Sequence, residues 1–224
     1  MFYGFSAYIC THELGNMISK SKVIRHASKM FAESGVKAIR MDDVAKDLSI
    51  SKRTLYEMFA DKEELLYDCV KYMYSKREKQ IEAMVDIERD GLPALIVMFC
   101  KMLDTSELQT RMQGHIRKFY PELYTRLSTE GRDRGLRRLR DKLVRLMEHG
   151  LISPTINIDL SVTMFYYSAN GVFSRGENIV LPEGITLRQA AEYMFINFFR
   201  GIATPKGAMQ IDDFLAEQQR ATTV

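Results

Sequence analysis

The sequence predicts an all-α protein, with a small N-terminal unit of three helices followed by a larger helical bundle. Three observations carry that expectation. After Met17 apolar residues recur at intervals of three and four along nearly the whole chain, and no segment of weight alternates with the period of two that a half-buried strand requires. Helix-start signals stand directly before such stretches: Ser51, the pair Asp61 and Glu64, and the pair Thr186 and Gln189. The chain has 224 residues and is 46% hydrophobic, enough for one small domain and one larger one.

Residues 1–16 are apolar and aromatic but follow neither period. They are expected to be an extension upstream of a natural start at Met17; the competing reading is an arm that packs on the domain. The first helix then places Val23, Ala27, Met30, Phe31 and Ser34 on one face and stops at Gly35. A second, short helix is expected from Met41 to Leu48, with Asp42 and Asp43 in the first turn, where the helix dipole favours acids. Ser49 and Ile50 form a tight turn, and Ser51 caps a third helix from Lys52 to Phe59.

A long fourth helix is expected from Lys62 to Arg89, its apolar side running through Leu66, Val70, Met73, Ile81 and Met84 to Glu88. Asp90-Gly91-Leu92-Pro93 breaks the chain. Leu92 to Leu103 is apolar almost all round, which predicts a helix buried on every side. Further helices are expected at Leu108 to Phe119, at Glu122 to Ser128 and, strongly basic, at Gly131 to Gly150. Another starts at Asn157 or Asp159, a loop runs from Ser174 to Gly184, and a last long helix follows Thr186. The tail beyond Pro205 is expected to hold one short helix near Asp212 to Gln218. The domain reading is therefore 17–64, 65–204 and a tail at 205–224.

The formal net charge of +3 is too small to announce a polyanion partner for the whole chain. Its distribution says more, since residues 17–56 hold nine Lys or Arg against four acids. A local basic patch is the footprint of a phosphate-contacting surface, and equally of a solvated helix face. Cys10, Cys69 and Cys100 are scattered and odd in number, and they read as reduced cysteines of a cytoplasmic protein. Neither they nor His12, His26, His115 and His149 have metal-ligand spacing, so no metal or cofactor is expected. No apolar run reaches the roughly 18 residues that span a membrane. Nucleophile-elbow, zinc-protease, phosphate-loop and dinucleotide-binding patterns are all missing, which argues against an enzyme; a catalytic site assembled from distant residues is the rival reading.

Residues 40–59 have the layout of a helix-turn-helix: short helix, turn of about three residues, short helix. In the second helix Leu55 and Phe59, four apart, are the anchors, while Lys52, Arg53, Thr54 and Tyr56 cluster at the end that meets base edges and phosphates in such motifs. Lys62 is placed to reach the same backbone.

Residues 20–66 resemble the DNA-binding domain of the TetR (tetracycline-repressor) family of bacterial regulators. The matching features are Ala27 and Phe31 followed by Gly35, then Val44-Ala45, then Ser51-Lys52-x-Thr54-Leu55-Tyr56-x-x-Phe59, then Lys62-Glu63-Glu64-Leu65. The resemblance implies a DNA-reading set of Arg40, Met41, Ser51, Lys52, Arg53, Thr54, Tyr56, Glu57 and Lys62. Arg53 stands where the family often has a small residue, and an arginine there can pair with a guanine or contact a phosphate. Glu57 can accept from a cytosine amine or remain a surface acid. Three departures from the family pattern are Arg40 for a capping threonine, Ser49 for a turn glycine and Met58 for a Tyr or His.

The same resemblance implies an effector-sensing and dimerising C-terminal domain, in which the last two long helices, here about 157–173 and 186–203, pair across a homodimer. Phe165, Tyr166, Met194, Phe195, Phe198 and Phe199 are the candidate interface residues, against a reading as ordinary intrachain packing. Met98, Phe99, Met102, His115, Phe119, Tyr120, Tyr124, Met164 and Tyr167 are candidates for an effector pocket, against a reading as plain core. Fourteen methionines suit an adaptable interior and an apolar or aromatic effector. The expected function is an effector-relieved repressor that binds a palindromic DNA operator. An activator or ligand-independent regulator of the same family is the alternative, and a small-molecule-binding protein or enzyme without DNA reading is the remote one.

Overall fold

Helix α1 (Lys20–Ser34) starts at Ser19, whose Oγ accepts the Lys22 backbone N–H at 3.3 Å, and ends at Gly35. In the computed structural model, residues 18–104, 107–173 and 180–222 are described. The extension expected at residues 1–16 and the first six residues of the loop expected from Ser174 lie outside them. Among the described residues there are ten helices, and the only β-type pairing is an isolated bridge between Ile152 and Ala203. The chain divides into two compact units between Tyr72 and Met73.

In the first unit α1 buries Val23, Ala27, Ser28 and Phe31. Helix α2 (Met41–Asp47) is started by Asp43, whose carboxylate accepts the Arg40 backbone N–H at 2.8 Å. The chain then turns at Ser49, which has φ 54°, a left-handed conformation that glycine tolerates better than serine. Helix α3 (Lys52–Met58) is capped by Ser51 Oγ, which accepts from the Thr54 backbone N–H at 3.0 Å. Leu55 and Phe59 are buried with Val44, Ala45, Leu65 and Leu66. Helix α4 (Lys62–Glu82) opens as expected at Asp61, whose Oδ1 accepts from the Glu64 N–H at 2.8 Å; the Glu64 carboxylate reaches back to the Ala60 N–H at 2.7 Å. Cys69 is fully buried, and burial pushes its thiol up to about 12.

Helix α4 stops at Glu82, not at Arg89. Asp86 is the reason: its side chain accepts from the Arg89 N–H at 3.1 Å and starts a new helix, α5 (Ile87–Leu103). Met84, assigned from the sequence to the apolar side of α4, is exposed. The break expected around Gly91 is a kink inside α5, where Gly91 adopts φ 61° and ψ −135°. Beyond it Leu92, Leu95, Met98 and Phe99 are buried, while Val97, Cys100, Met102 and Leu103 are only partly so, which leaves the helix short of burial on every side. Arg77 of α4 donates to the Lys101 carbonyl at 3.1 Å and satisfies the last turn of α5.

Helix α6 (Glu107–Phe119) leads through Pro121 into α7 (Pro121–Glu148). The sequence divides α7 in two at Gly131; the structure joins both parts in one helix of 28 residues. A glycine inside a helix costs only about 1 kcal/mol relative to alanine, less than α7 recovers by burying Leu123, Leu139, Leu143 and Leu146. Helix α8 (Ile158–Phe173) starts at Asn157, whose side chain accepts from the Leu160 N–H at 3.0 Å. Helix α9 (Leu187–Ile202) carries the expected box, with Gln189 accepting the Thr186 N–H at 2.9 Å. The presumed tail is a full helix, α10 (Pro205–Thr222), in place of the short segment expected near Asp212. It packs on α5 and α9 and buries Ile211. It comes close because Gly207 has no side chain: a Cβ there would lie 2.2 Å from the Leu151 carbonyl oxygen.

Central to the second unit is a cluster of phenylalanines. The Phe99 ring lies 4.6 Å from Phe165 and 5.9 Å from Phe199, and Phe165 lies 4.8 Å from Phe198. Two substitutions test the backbone with opposite signs. Ser49→Gly relieves the left-handed serine and is expected to raise stability by up to about 1 kcal/mol. Gly207→Ala forces α10 from the Leu151 carbonyl and is expected to cost about 1–3 kcal/mol. Urea unfolding midpoints of the two variants against the parent provide the measurement.

Candidate nucleic-acid interface

The exposed side of α3 follows from what its other side buries. With Leu55 and Phe59 turned inward, Arg53, Tyr56 and Glu57 fall together on the outward side, three and four residues apart. Tyr56 is half exposed and the Arg53 side chain is 89% exposed. Lys52 is exposed too and forms an ion pair with Asp42 of α2. Arg53 Nε donates to Glu57 Oε1 at 2.9 Å. Ser51 and Thr54 are occupied with each other, their hydroxyl oxygens 2.8 Å apart, so their first role is to begin the helix.

The remaining residues of the expected DNA-reading set divide. Arg40 is exposed at the start of α2, whereas the Met41 side chain is buried in the core, which takes it off the surface. Lys62 is half-buried, with its ammonium 5.9 Å from the Phe31 ring centroid. Burial holds its pKa below the usual lysine range; Asp43 opposes that shift and Arg40 adds to it. Sequence reasoning missed Asp42 as the partner of Lys52, because ten residues and a turn separate them and no periodicity links them. It also missed Lys20, whose ammonium lies 3.3 Å from Asp68, 3.5 Å from Glu64 and 4.5 Å from the Phe59 ring centroid. The Arg53–Glu57 pair was within reach of sequence, since four residues on a helix is the spacing of facing side chains.

In the second unit each of the two candidate groups is divided between core and surface. Phe165, Phe195 and Phe199, candidates for an interface, are buried within the one chain; Tyr166, Met194 and Phe198 are partly buried. Met164 and Tyr167, candidates for a pocket, are exposed and form an outward stripe on α8 with Leu160. Tyr193 of α9 is exposed as well. Met98 and Phe99 belong to the core, Met102 and Tyr120 are partly buried, and Phe119 and Tyr124 are exposed. His115 stands edge-on to Phe119 at 6.1 Å, and its Nδ1 is buried with no hydrogen-bond partner among the described residues. A cavity of about 590 Å³ lies elsewhere, bordered by residues 82–89, Lys142 and Arg145, and touches none of the candidate pocket residues. Among the described residues no helix is long and apolar enough to cross a membrane, and no group of three or more His, Cys, Asp or Glu is placed to hold a metal ion.

The short α2, the turn at Ser49 and the half-exposed α3 define a helix-turn-helix protein of the DNA-binding regulator class. Residues 23–69 match the family described as bacterial regulatory proteins, tetR family. Among curated proteins none matches the chain. Similar solved structures include a TetR-family transcriptional regulator from Pectobacterium atrosepticum, 17% identical with a TM-score of 0.62, the match covering 83% of this chain and 94% of that one. SmeT, the repressor of the Stenotrophomonas maltophilia multidrug efflux pump SmeDEF, is 16% identical with a TM-score of 0.59, covering 84% and 92%. A TetR-family transcriptional regulator from Marinobacter aquaeolei is 17% identical with a TM-score of 0.54, covering 91% and 98%. At these identities the likeness is one of fold.

Because Lys52 is paired with Asp42, removing that carboxylate frees a cation on the presented surface. Asp42→Asn is expected to raise affinity for random-sequence duplex DNA several-fold at low salt and to steepen its salt dependence. Fluorescence anisotropy at two salt concentrations reads both effects.

Proposed function

We propose that this chain is a cytoplasmic homodimeric repressor that binds a palindromic DNA operator through α3 and releases it when a small apolar or aromatic effector binds the second unit. The observation that carries the proposal is the outward side of α3, where Lys52, Arg53 and Tyr56 stand exposed over a base anchored by Leu55 and Phe59. A side chain inserted into the major groove must be held by rigid structure behind it, and these anchors supply that. Repression and release are supported by SmeT, which shares the fold and is described as a repressor and in complex with triclosan. The buried, unpartnered His115 Nδ1 beside Phe119 supports an effector that brings a polar group to an aromatic environment.

The homodimer is supported by the outward stripe of Leu160, Met164 and Tyr167 on α8, with Tyr193 exposed on α9. Apolar side chains spaced at four and three residues on an exposed helix face leave water most readily against a second helix. A second copy of this chain presents the same stripe, and a twofold axis brings the two together, as readers of twofold-symmetric sites require.

Selection of bound sites from a random duplex library is the test, and a twofold-symmetric motif bound with steep salt dependence is the expected result. No enriched motif overturns DNA reading. The double variant Lys52→Ala, Tyr56→Ala is expected to lose the selected site while its sedimentation stays that of a dimer. Met164→Glu is expected to sediment as a monomer and to bind the full site at least tenfold more weakly, because the two half-sites are no longer bound together.

A further inference from the structure

Arg53 and Glu57 are joined through one edge of the guanidinium only. Arg53 Nε donates to Glu57 Oε1 at 2.9 Å, and both side chains project away from the buried Leu55 and Phe59. With side chains 89% and 60% exposed, the pair adds little to stability. Its consequence is geometric. A guanidinium carries five N–H donors in a rigid plane. With Nε–H committed to Glu57, the edge formed by the two Nη groups remains, a pair of parallel donors matched to guanine O6 and N7. Glu57 keeps Oε2 as an open acceptor beside them.

We propose that Arg53 and Glu57 form a single preassembled fork that reads one G·C base pair in the major groove, Arg53 on guanine N7 and O6, Glu57 on the N4 amine of the paired cytosine. This rests on the DNA-reading assignment above. Across its major-groove edge a G·C pair offers acceptor, acceptor and donor; the fork offers donor, donor and acceptor. An A·T pair offers acceptor, donor and acceptor before its methyl group, so the middle and last positions would set like against like. The carboxylate would then be desolvated against an acceptor, which penalises the wrong pair as well as favouring the right one. The bound carboxylate also decides between the two uses of Arg53. An arginine that carries its own counter-charge is a poor neutraliser of phosphate but loses nothing as a directional donor to a base.

Site selection with the parent protein, Arg53→Ala and Glu57→Ala, followed by titration of the parent's site at two salt concentrations, tests this. The parent is expected to select a G·C pair at one position of each half-site. Each variant is expected to relax that same position, losing roughly 5- to 150-fold of discrimination, with other positions retained; Arg53→Ala keeps the salt dependence, and Glu57→Ala, which frees the Arg53 cation, steepens it. The fork alone is overturned if Glu57→Ala leaves that preference in place, or if the two variants relax different positions. It is also overturned if Arg53→Ala weakens all sequences equally and flattens the salt dependence, the signature of a phosphate contact. A parent protein that enriches no motif overturns the DNA-reading assignment and the fork with it.

Discussion

A helix of seven residues does not persist by itself in water, so α3 exists because Leu55 and Phe59 are buried. Each contributes about 1.5–3 kcal/mol when withdrawn from solvent, so that the two together offset the roughly 3–4 kcal/mol that nucleating a helix costs. They have somewhere to go because α1 turns Val23, Ala27 and Phe31 inward and α4 adds Leu65 and Leu66. The same two side chains then fix the rotation of α3 about its axis, and that rotation alone puts Arg53, Tyr56 and Glu57 outside. Packing and presentation are one constraint here: moving the anchors by one residue would turn the exposed set by about 100°.

The second unit applies the same logic with charge in place of a short anchor. Helix α7 carries seven basic residues between Arg132 and Arg145, a density that by itself suits a second polyanion surface. The structure gives many of them acids of their own. Glu78 lies 2.6 Å from Arg138 and 3.8 Å from Arg134; Glu82 lies 3.5 Å from Lys142; Glu88 lies 3.5 Å from Arg145; Asp159 lies 2.8 Å from Arg140. Partly exposed pairs of this kind contribute at most about 1 kcal/mol each. Their larger effect is to match charge across packed helices while Leu139, Leu143 and Leu146 are buried from the other side of α7.

Helix existence and starts were legible in the sequence where the signal is local. Ser51, Asp61, Thr186 and Gln189 cap what they are expected to cap, because a cap is a hydrogen bond between residues two or three apart. Features decided by distant packing were not legible. The end of α4 depends on Asp86 competing for the Arg89 N–H, which a stripe read through Met84 overlooks. The union of α7 across Gly131 and the length of α10 depend on what their leucines and Ile211 pack against. On α8 apolar residues occupy several faces, so composition does not say which one is core. Phe165 lies within and its neighbour Met164 outside, a difference of one residue in phase that only packing decides.

A local excess of basic residues is therefore a different property from a free positive surface. In the first unit Lys52 faces Asp42, Arg53 faces Glu57, and Lys20 faces both Glu64 and Asp68. A regulator of the proposed kind has to prefer its site over other DNA by roughly 10³–10⁷, against a non-specific term set almost wholly by phosphate neutralisation. Cations already paired contribute less to that term, since each must exchange a carboxylate for a phosphate. A base contact that keeps its carboxylate makes no such exchange and is penalised only when the wrong pair is present. Internal pairing on α3 and its neighbours thus lowers affinity for DNA in general more than affinity for the right site, and selectivity rises as non-specific attraction falls.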